Sequence, residues 1–244
     1  MISIISDVHI KKKGDDAYHL FINFLNHEKV KSSHKVILLG DIFDLLVGGD
    51  KNFYEEYKEI FVKINELMDK GVEVYYLEGN HDFHIGNFLN KYLGHENFNF
   101  SPELLKIEHL GKSILLSHGD DIEIENPSYK IYSKIIRSVP IQILAERIVP
   151  FSITKSIGDW ASSRSRKKNL KKYNEKSLVI RDKFRRSAEE LYQKENFDLI
   201  VTGHSHVKDS YESPLGFKYL NNGYAPIEKT FIHISELQEF ISLS

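Results

Sequence analysis

The chain has 244 residues and sets 33 Lys and Arg against 35 Asp and Glu, a net charge of −2, so any electrostatic recognition must be local. Apolar residues make up 41%, yet no run approaches the roughly 18 apolar residues of a spanning helix, and Met1–Asp7 has neither a basic leader nor a cleavage site. Zero cysteines exclude disulfides, thiolate zinc sites and cysteine nucleophiles and fit a reducing, cytoplasmic setting, leaving 12 histidines as the conspicuous reactive residues. In chain order, Ile2–Ser6 reads as a buried strand running into Asp7-Val8-His9. Ala17–Asn26 has the spacing of an amphipathic helix. Lys35–Leu39 is a strand that meets Gly40-Asp41-Ile42-Phe43-Asp44. Phe53–Lys70 is a second helix, with Gly71 where a helix ends. Val72–Leu77 runs into Gly79-Asn80-His81-Asp82. Leu104–His109 and Lys112–Ser117 form a pair through Gly111-Lys112, and the second runs into His118-Gly119-Asp120. From Glu123 to Asn196 no strand pattern is visible: dense apolar residues from Tyr129 to Phe151 are cut by Pro140 and Pro150. Arg164–Lys176 follows, with seven Lys or Arg and one acid. This stretch reads as a helical insertion on an α/β core, or equally as helices covering one face of a sheet. Phe197–Thr202 runs into Gly203-His204-Ser205-His206, and Phe217–Leu220 and Thr230–Ile234 complete the strands. With no linker or repeat, 1–244 reads as one domain carrying an insertion at 123–196.

Five strands thus end in Asp, His or Asn beside glycine. In layered α/β proteins, sites gather at the carboxyl ends of strands, where glycine permits tight turns and close backbone approach. Each fragment alone is weak, since a lone histidine is usually an ordinary polar side chain. All five in order, each after an apolar run, point to one site.

Asp7-x-His9, Gly40-Asp41-x-x-Asp44, Gly79-Asn80-His81-Asp82, His118 and Gly203-His204-x-His206 resemble the signature of calcineurin-like metallophosphoesterases. The resemblance implies an α/β fold, a four-layer αββα sandwich with a helical cap, and a two-metal centre at the strand ends. By the same resemblance, one metal takes Asp7, His9 and His206, the other Asn80, His118 and His204, and Asp41 bridges. Imidazole, carboxylate and amide ligands suit two divalent ions, Mn²⁺ first and Fe or Zn²⁺ next. The resemblance also implies that His81 faces the phosphate as a catalytic residue, and Asp82 is read as catalytic beside it. Asp82 and Asp44 are placed to orient an imidazole, while Asp44 reads equally as a turn or capping residue.

The length, Gly40–Leu45, Asn80–Phe83, His118–Asp120 and the insertion further resemble the UDP-2,3-diacylglucosamine diphosphatases of lipid A synthesis. Those enzymes cleave a lipid-linked nucleotide at its pyrophosphate. The resemblance places Asn80, His81, Asn126, Ser165, Asn169, Lys172 and His204 at the substrate. Two positions depart from it: that family's best-known branch has Arg where this chain has His81, and an acid where it has Asn126. Apolar insertion helices suit acyl chains, and Arg164–Lys176 suits an anionic head group or peripheral contact with the inner membrane. The basic run reads equally as a solvated face, and near-zero net charge argues against nucleic acid. The rivals are a phosphodiesterase or phosphatase with another substrate, and a non-catalytic metal-binding scaffold.

Overall fold

The computed structural model describes residues 1–122 and 177–243. Its strands are β1 (Ile2–Ile5), β2 (Lys35–Leu39), β3 (Leu46–Val47), β4 (Glu73–Leu77), β5 (Asp82–Phe83), β6 (Phe98–Ser101), β7 (Leu105–His109), β8 (Lys112–Ser117), β9 (Leu199–Thr202), β10 (Asp209–Glu212), β11 (Lys218–Asn221), β12 (Thr230–Ile234) and β13 (Gln238–Ser242). The helices are α1 (Asp16–Asn26), α2 (Glu28–Lys31), α3 (Lys51–Met68), α4 (Gly86–Tyr92), α5 (residues 177–192) and α6 (Ala225–Glu228).

The strands form two mixed sheets and a two-stranded ribbon, with orders β13-β12-β1-β2-β4-β6, β10-β11-β9-β8-β7 and β3-β5. In the first sheet β1, β2, β4 and β6 are parallel, β12 pairs antiparallel with β1, and β13 pairs antiparallel with β12. In the second, β8, β9 and β11 are parallel between antiparallel edges. The α/β expectation holds, and each strand read from the sequence is present within two residues of its expected bounds.

Period-two alternation assigns the strand side chains to separate cores. Val36 and Leu38 of β2, with Val74 and Tyr76 of β4, belong to a cluster with Phe21, Phe24, Phe61 and Ile64 of α1 and α3. Their neighbours Ile37, Leu39 and Leu77 join Ile114, Leu116, Leu199, Val201 and Leu220 of the other sheet. Leu115, Ile200 and Tyr219 point to a third cluster, with Phe184 and Ala188 of α5.

Local chemistry sets the helix ends. The Asp15 carboxylate accepts the Tyr18 N–H at 2.7 Å, and the Asp50 carboxylate accepts that of Phe53 at 2.9 Å, so each caps a helix start. Gly71, at φ +85°, closes α3: its N–H donates to Met68 and that of Val72 to Leu67.

Helix α5 lies inside the stretch 123–196 expected to be helical. It packs on the second sheet through Phe184 and Ala188, and Arg185 forks onto Asp209 of β10 at 2.6 and 2.8 Å. Residues 123–176, with Asn126, Ser165, Asn169, Lys172, both prolines and the basic run, lie outside the described residues.

Candidate metal centre

The loops after β1, β2, β4, β8 and β9 converge. Asp7, His9, Asp41, His204 and His206 hold φ between 52° and 62°, left-handed backbone that L residues rarely adopt. Such strain clusters where surrounding structure imposes it for a function. Gly79 and Gly203 permit the close approach: a Cβ on Gly79 would strike the Asp41 carboxylate, and one on Gly203 that of Asp7.

Two donor sets meet at Asp41. Its Oδ1 accepts the His81 N–H at 2.8 Å. Its Oδ2 stands 3.5 Å from His9 Nε2 and 3.4 Å from His118 Nε2. On one side, His9 Nε2 is 3.1 Å from His206 Nε2, and His206 Nε2 is 3.2 Å from Asp7 Oδ1. Asp7, His9, Asp41 and His206 thereby form one cluster able to hold a cation. On the other side, Asn80 Oδ1 lies 3.2 Å from His118 Nε2 and 2.7 Å from His204 Nδ1. All seven expected ligands are brought together.

Protonation states test whether a cation fits. His118 Nδ1 donates to the Leu39 carbonyl at 2.9 Å, so in the neutral ring Nε2 turns a lone pair toward Asn80 Oδ1 and Asp41 Oδ2. His9 Nδ1 faces Asp44 Oδ1 at 3.6 Å, directing its Nε2 lone pair at Asp41 and His206. Lone pairs facing acceptors need a proton or a metal between them, and this hard-to-borderline N/O set suits divalent metals. The ionisation equilibria agree. Burial opposes charge on Asp41, but the neighbouring His118 and His81 outweigh it and hold the carboxyl well below its usual range. Burial likewise opposes charge on His118, yet Asp41 raises it well above an ordinary imidazole. On His9 burial wins, and its pKa is lowered.

His81 and the two outer aspartates have distinct places. His81 Nδ1 donates to the Asp44 backbone carbonyl at 2.6 Å, which leaves Nε2 for chemistry. Burial would discharge His81, but Asp41 and Asp44 together raise its pKa. Asp44 therefore serves two imidazoles, His9 by its carboxylate and His81 by its carbonyl. Asp82 corrects an expectation: its carboxylate binds backbone, not an imidazole. It accepts the N–H groups of Asp41, Ile42 and Gly79 at 2.7–2.9 Å and the Tyr76 hydroxyl at 2.6 Å. It pins the two ligand loops together, and burial beside Asp41 pushes its pKa up to about 6.

Tyr224 escaped the sequence reading. Its ring lies 5.1 Å from that of His206 and 5.7 Å from that of His9. The signal was the one used elsewhere: the strand Phe217–Leu220 also runs into Asn221-Asn222-Gly223-Tyr224 at a site-forming end.

Among known proteins, the model of calcineurin-like phosphoesterases matches residues 1–208. A Psychromonas ingrahamii protein named UDP-2,3-diacylglucosamine hydrolase is 28% identical over 83% of this chain and 79% of its own. A Photobacterium profundum protein of that name is 29% identical over 84% and 80%. A solved archaeal phosphodiesterase overlays with TM-score 0.47 at 13% identity, covering 98% of this chain and 96% of that one. A family match across most of the sequence, on the residues that build the converging His and Asp cluster, shows that this chain belongs to the calcineurin-like phosphoesterases.

Proposed function

We propose that the chain hydrolyses phosphoric esters or anhydrides with two divalent cations, Mn²⁺ first, held by Asp7, His9, Asp41 and His206 and by Asp41, Asn80, His118 and His204. The observation carrying this reading is Asp41 Oδ2, set 3.5 and 3.4 Å from imidazoles of the two donor sets. When bound, the cations supply a Lewis acid that withdraws charge from phosphoryl oxygens and acidifies water. His81, oriented by the Asp44 carbonyl, holds a proton at Nε2 to stabilise the phosphoryl group or protonate the leaving oxygen. Asp44 fixes the His9 ring, and Asp82 fixes the loops that carry Asp41 and Asn80.

The substrate we propose is UDP-2,3-diacylglucosamine, cleaved to UMP and 2,3-diacylglucosamine 1-phosphate in lipid A biosynthesis. Support comes from the names of relatives at 28% and 29% identity and from the apolar and basic composition of 123–176. In this reading the insertion 123–196 caps a four-layer αββα sandwich through 123–176, while α5 near its end supplies the outer helical layer on the second sheet, an arrangement supported by three clusters on opposite strand faces. Asn126, Ser165, Asn169 and Lys172 then meet substrate with Asn80, His81 and His204. The enzyme works in the cytoplasm and docks peripherally on the inner membrane; among the described residues no helix is long and apolar enough to cross it. His81, where the best-known branch has Arg, favours a second reading: a phosphodiesterase or phosphatase with a soluble substrate.

The test is hydrolysis with added Mn²⁺ of the acylated sugar nucleotide and of bis-p-nitrophenyl phosphate, with Asp41→Ala as control. The lipid reading expects UMP release and a variant that loses at least one metal and nearly all turnover. Turnover of the small diester alone establishes the second reading. No metal-dependent turnover of either removes both.

A further inference from the structure

We infer that Tyr224 is a positioning residue that braces His206 toward the first cation, the one shared with Asp7 and His9. This rests on the two-cation reading above. The His206 side chain is 33% exposed, whereas those of His9 and His118 are 5% and 1% exposed. A half-open imidazole has rotamers that swing Nε2 into water, so something must hold the ring.

Two neighbours do so. The His9 ring meets it edge-on, centroids 5.1 Å apart at 75°. The Tyr224 ring lies 5.1 Å away and within 23° of parallel, and it stands 5.7 Å from the His9 ring, so the three rings pack as one cluster. Flat-on aromatic contact of this kind restricts rotation without consuming a ring nitrogen.

Tyr224 is itself tethered to the ligands it would serve. Its N–H donates to the His206 carbonyl at 3.2 Å, and the next N–H, of Ala225, donates to the Asp7 carbonyl at 3.2 Å. The Tyr224 carbonyl accepts the N–H groups of Ile227 and Glu228 at 3.0 Å, so α6 anchors the junction. Asp7 and His206 are both left-handed, at φ 53° and 58°. One short junction thus holds the backbone of two strained ligand residues and the ring of one of them.

Groups that orient metal ligands are typically worth about 10–100-fold in metal affinity. The experiment titrates the full-length, metal-stripped protein with Mn²⁺ against a fluorescent chelator and resolves two binding events. Tyr224→Ala should weaken one event by about 10–100-fold and leave the other unchanged. Tyr224→Phe, which keeps the flat face, should restore it. Saturating Mn²⁺ should return kcat on bis-p-nitrophenyl phosphate with KM unchanged. Should Tyr224→Ala fail to fold, Tyr224→Leu keeps bulk without the ring and must show the same one-site loss. Two unchanged events, or two weakened equally, overturn the role. Wild-type protein that takes up fewer than two Mn²⁺ removes the two-cation reading itself, and the role with it.

Discussion

At the scale of single residues, the centre is costly to build. A left-handed L residue is disfavoured by about 1–2 kcal/mol, and Asp7, His9, Asp41, His204 and His206 all take that conformation. Hydrogen bonds hold them there: the Asp7 carboxylate accepts the His204 N–H at 3.0 Å, and Asp41 donates its N–H to Asp82 at 2.8 Å. His81 differs, because its backbone is tied to Asp41 and its Nδ1 to the Asp44 carbonyl, and the proposed function gives its Nε2 to the substrate. His81→Ala should therefore keep both metals and slow the chemical step by about 10²–10⁴, the usual worth of a positioned acid or base. Metal analysis beside single-turnover kinetics checks this. Loss of a metal in the variant would make His81 a ligand.

At the scale of elements, a buried chain of hydrogen bonds joins β12, β1 and α2. Ser33 donates its hydroxyl to the Lys29 carbonyl at 2.7 Å, so Ser3 must donate to Ser33 Oγ at 2.9 Å. His233 Nδ1–H then donates to Ser3 Oγ at 3.0 Å. Burial, helped by Lys29, lowers the His233 pKa below its ordinary 6.5. Between the two values the unfolded chain binds more protons, so this contribution is full above the unfolded pKa and is lost as pH falls through the folded one. On going from about pH 7.5 to about pH 5.5, urea midpoints should drop further for wild type than for His233→Asn, which keeps a donor and does not titrate. Equal drops would leave His233 without a part in the acid sensitivity. The central strands were legible in the sequence because burial on both faces makes them continuously apolar. Strands β6, β10 and β13 were not: each is a sheet edge whose residues are mostly half-buried or exposed, so the hydropathy contrast fades. The ligands were legible for a related reason, since each follows an apolar run directly. The backbone-pinning contacts of Asp82 to Asp41 and Ile42 were not, because they join loops 40 or more positions apart, and Tyr224, although it follows a strand end, gave no ligand chemistry to single it out.

At the scale of the whole molecule, the stretch 123–196 separates the two functional readings. If it forms an acyl groove, Ile136→Asp or Ile143→Asp sets a charge against apolar chains, a cost of several kcal/mol where the side chain is buried. A large loss on the acylated nucleotide with little change on bis-p-nitrophenyl phosphate is expected, with folding checked by circular dichroism. Equal losses in a folded variant would make the stretch a support of the core. No loss on either substrate would remove the lipid assignment. The contact from His204 to Asp7 spans 197 positions, so the centre closes late. A growing chain holds Asp41 and His118 well before the loop bearing His204 and His206 exists, and separations this long slow folding. Cations that bind only the finished centre add stability by mass action, about 2.7 kcal/mol at a hundredfold excess over Kd. Metal starvation would then leave more than an idle enzyme: it would lengthen the time each copy spends open to proteases, tying the abundance of the protein to the supply of its metal.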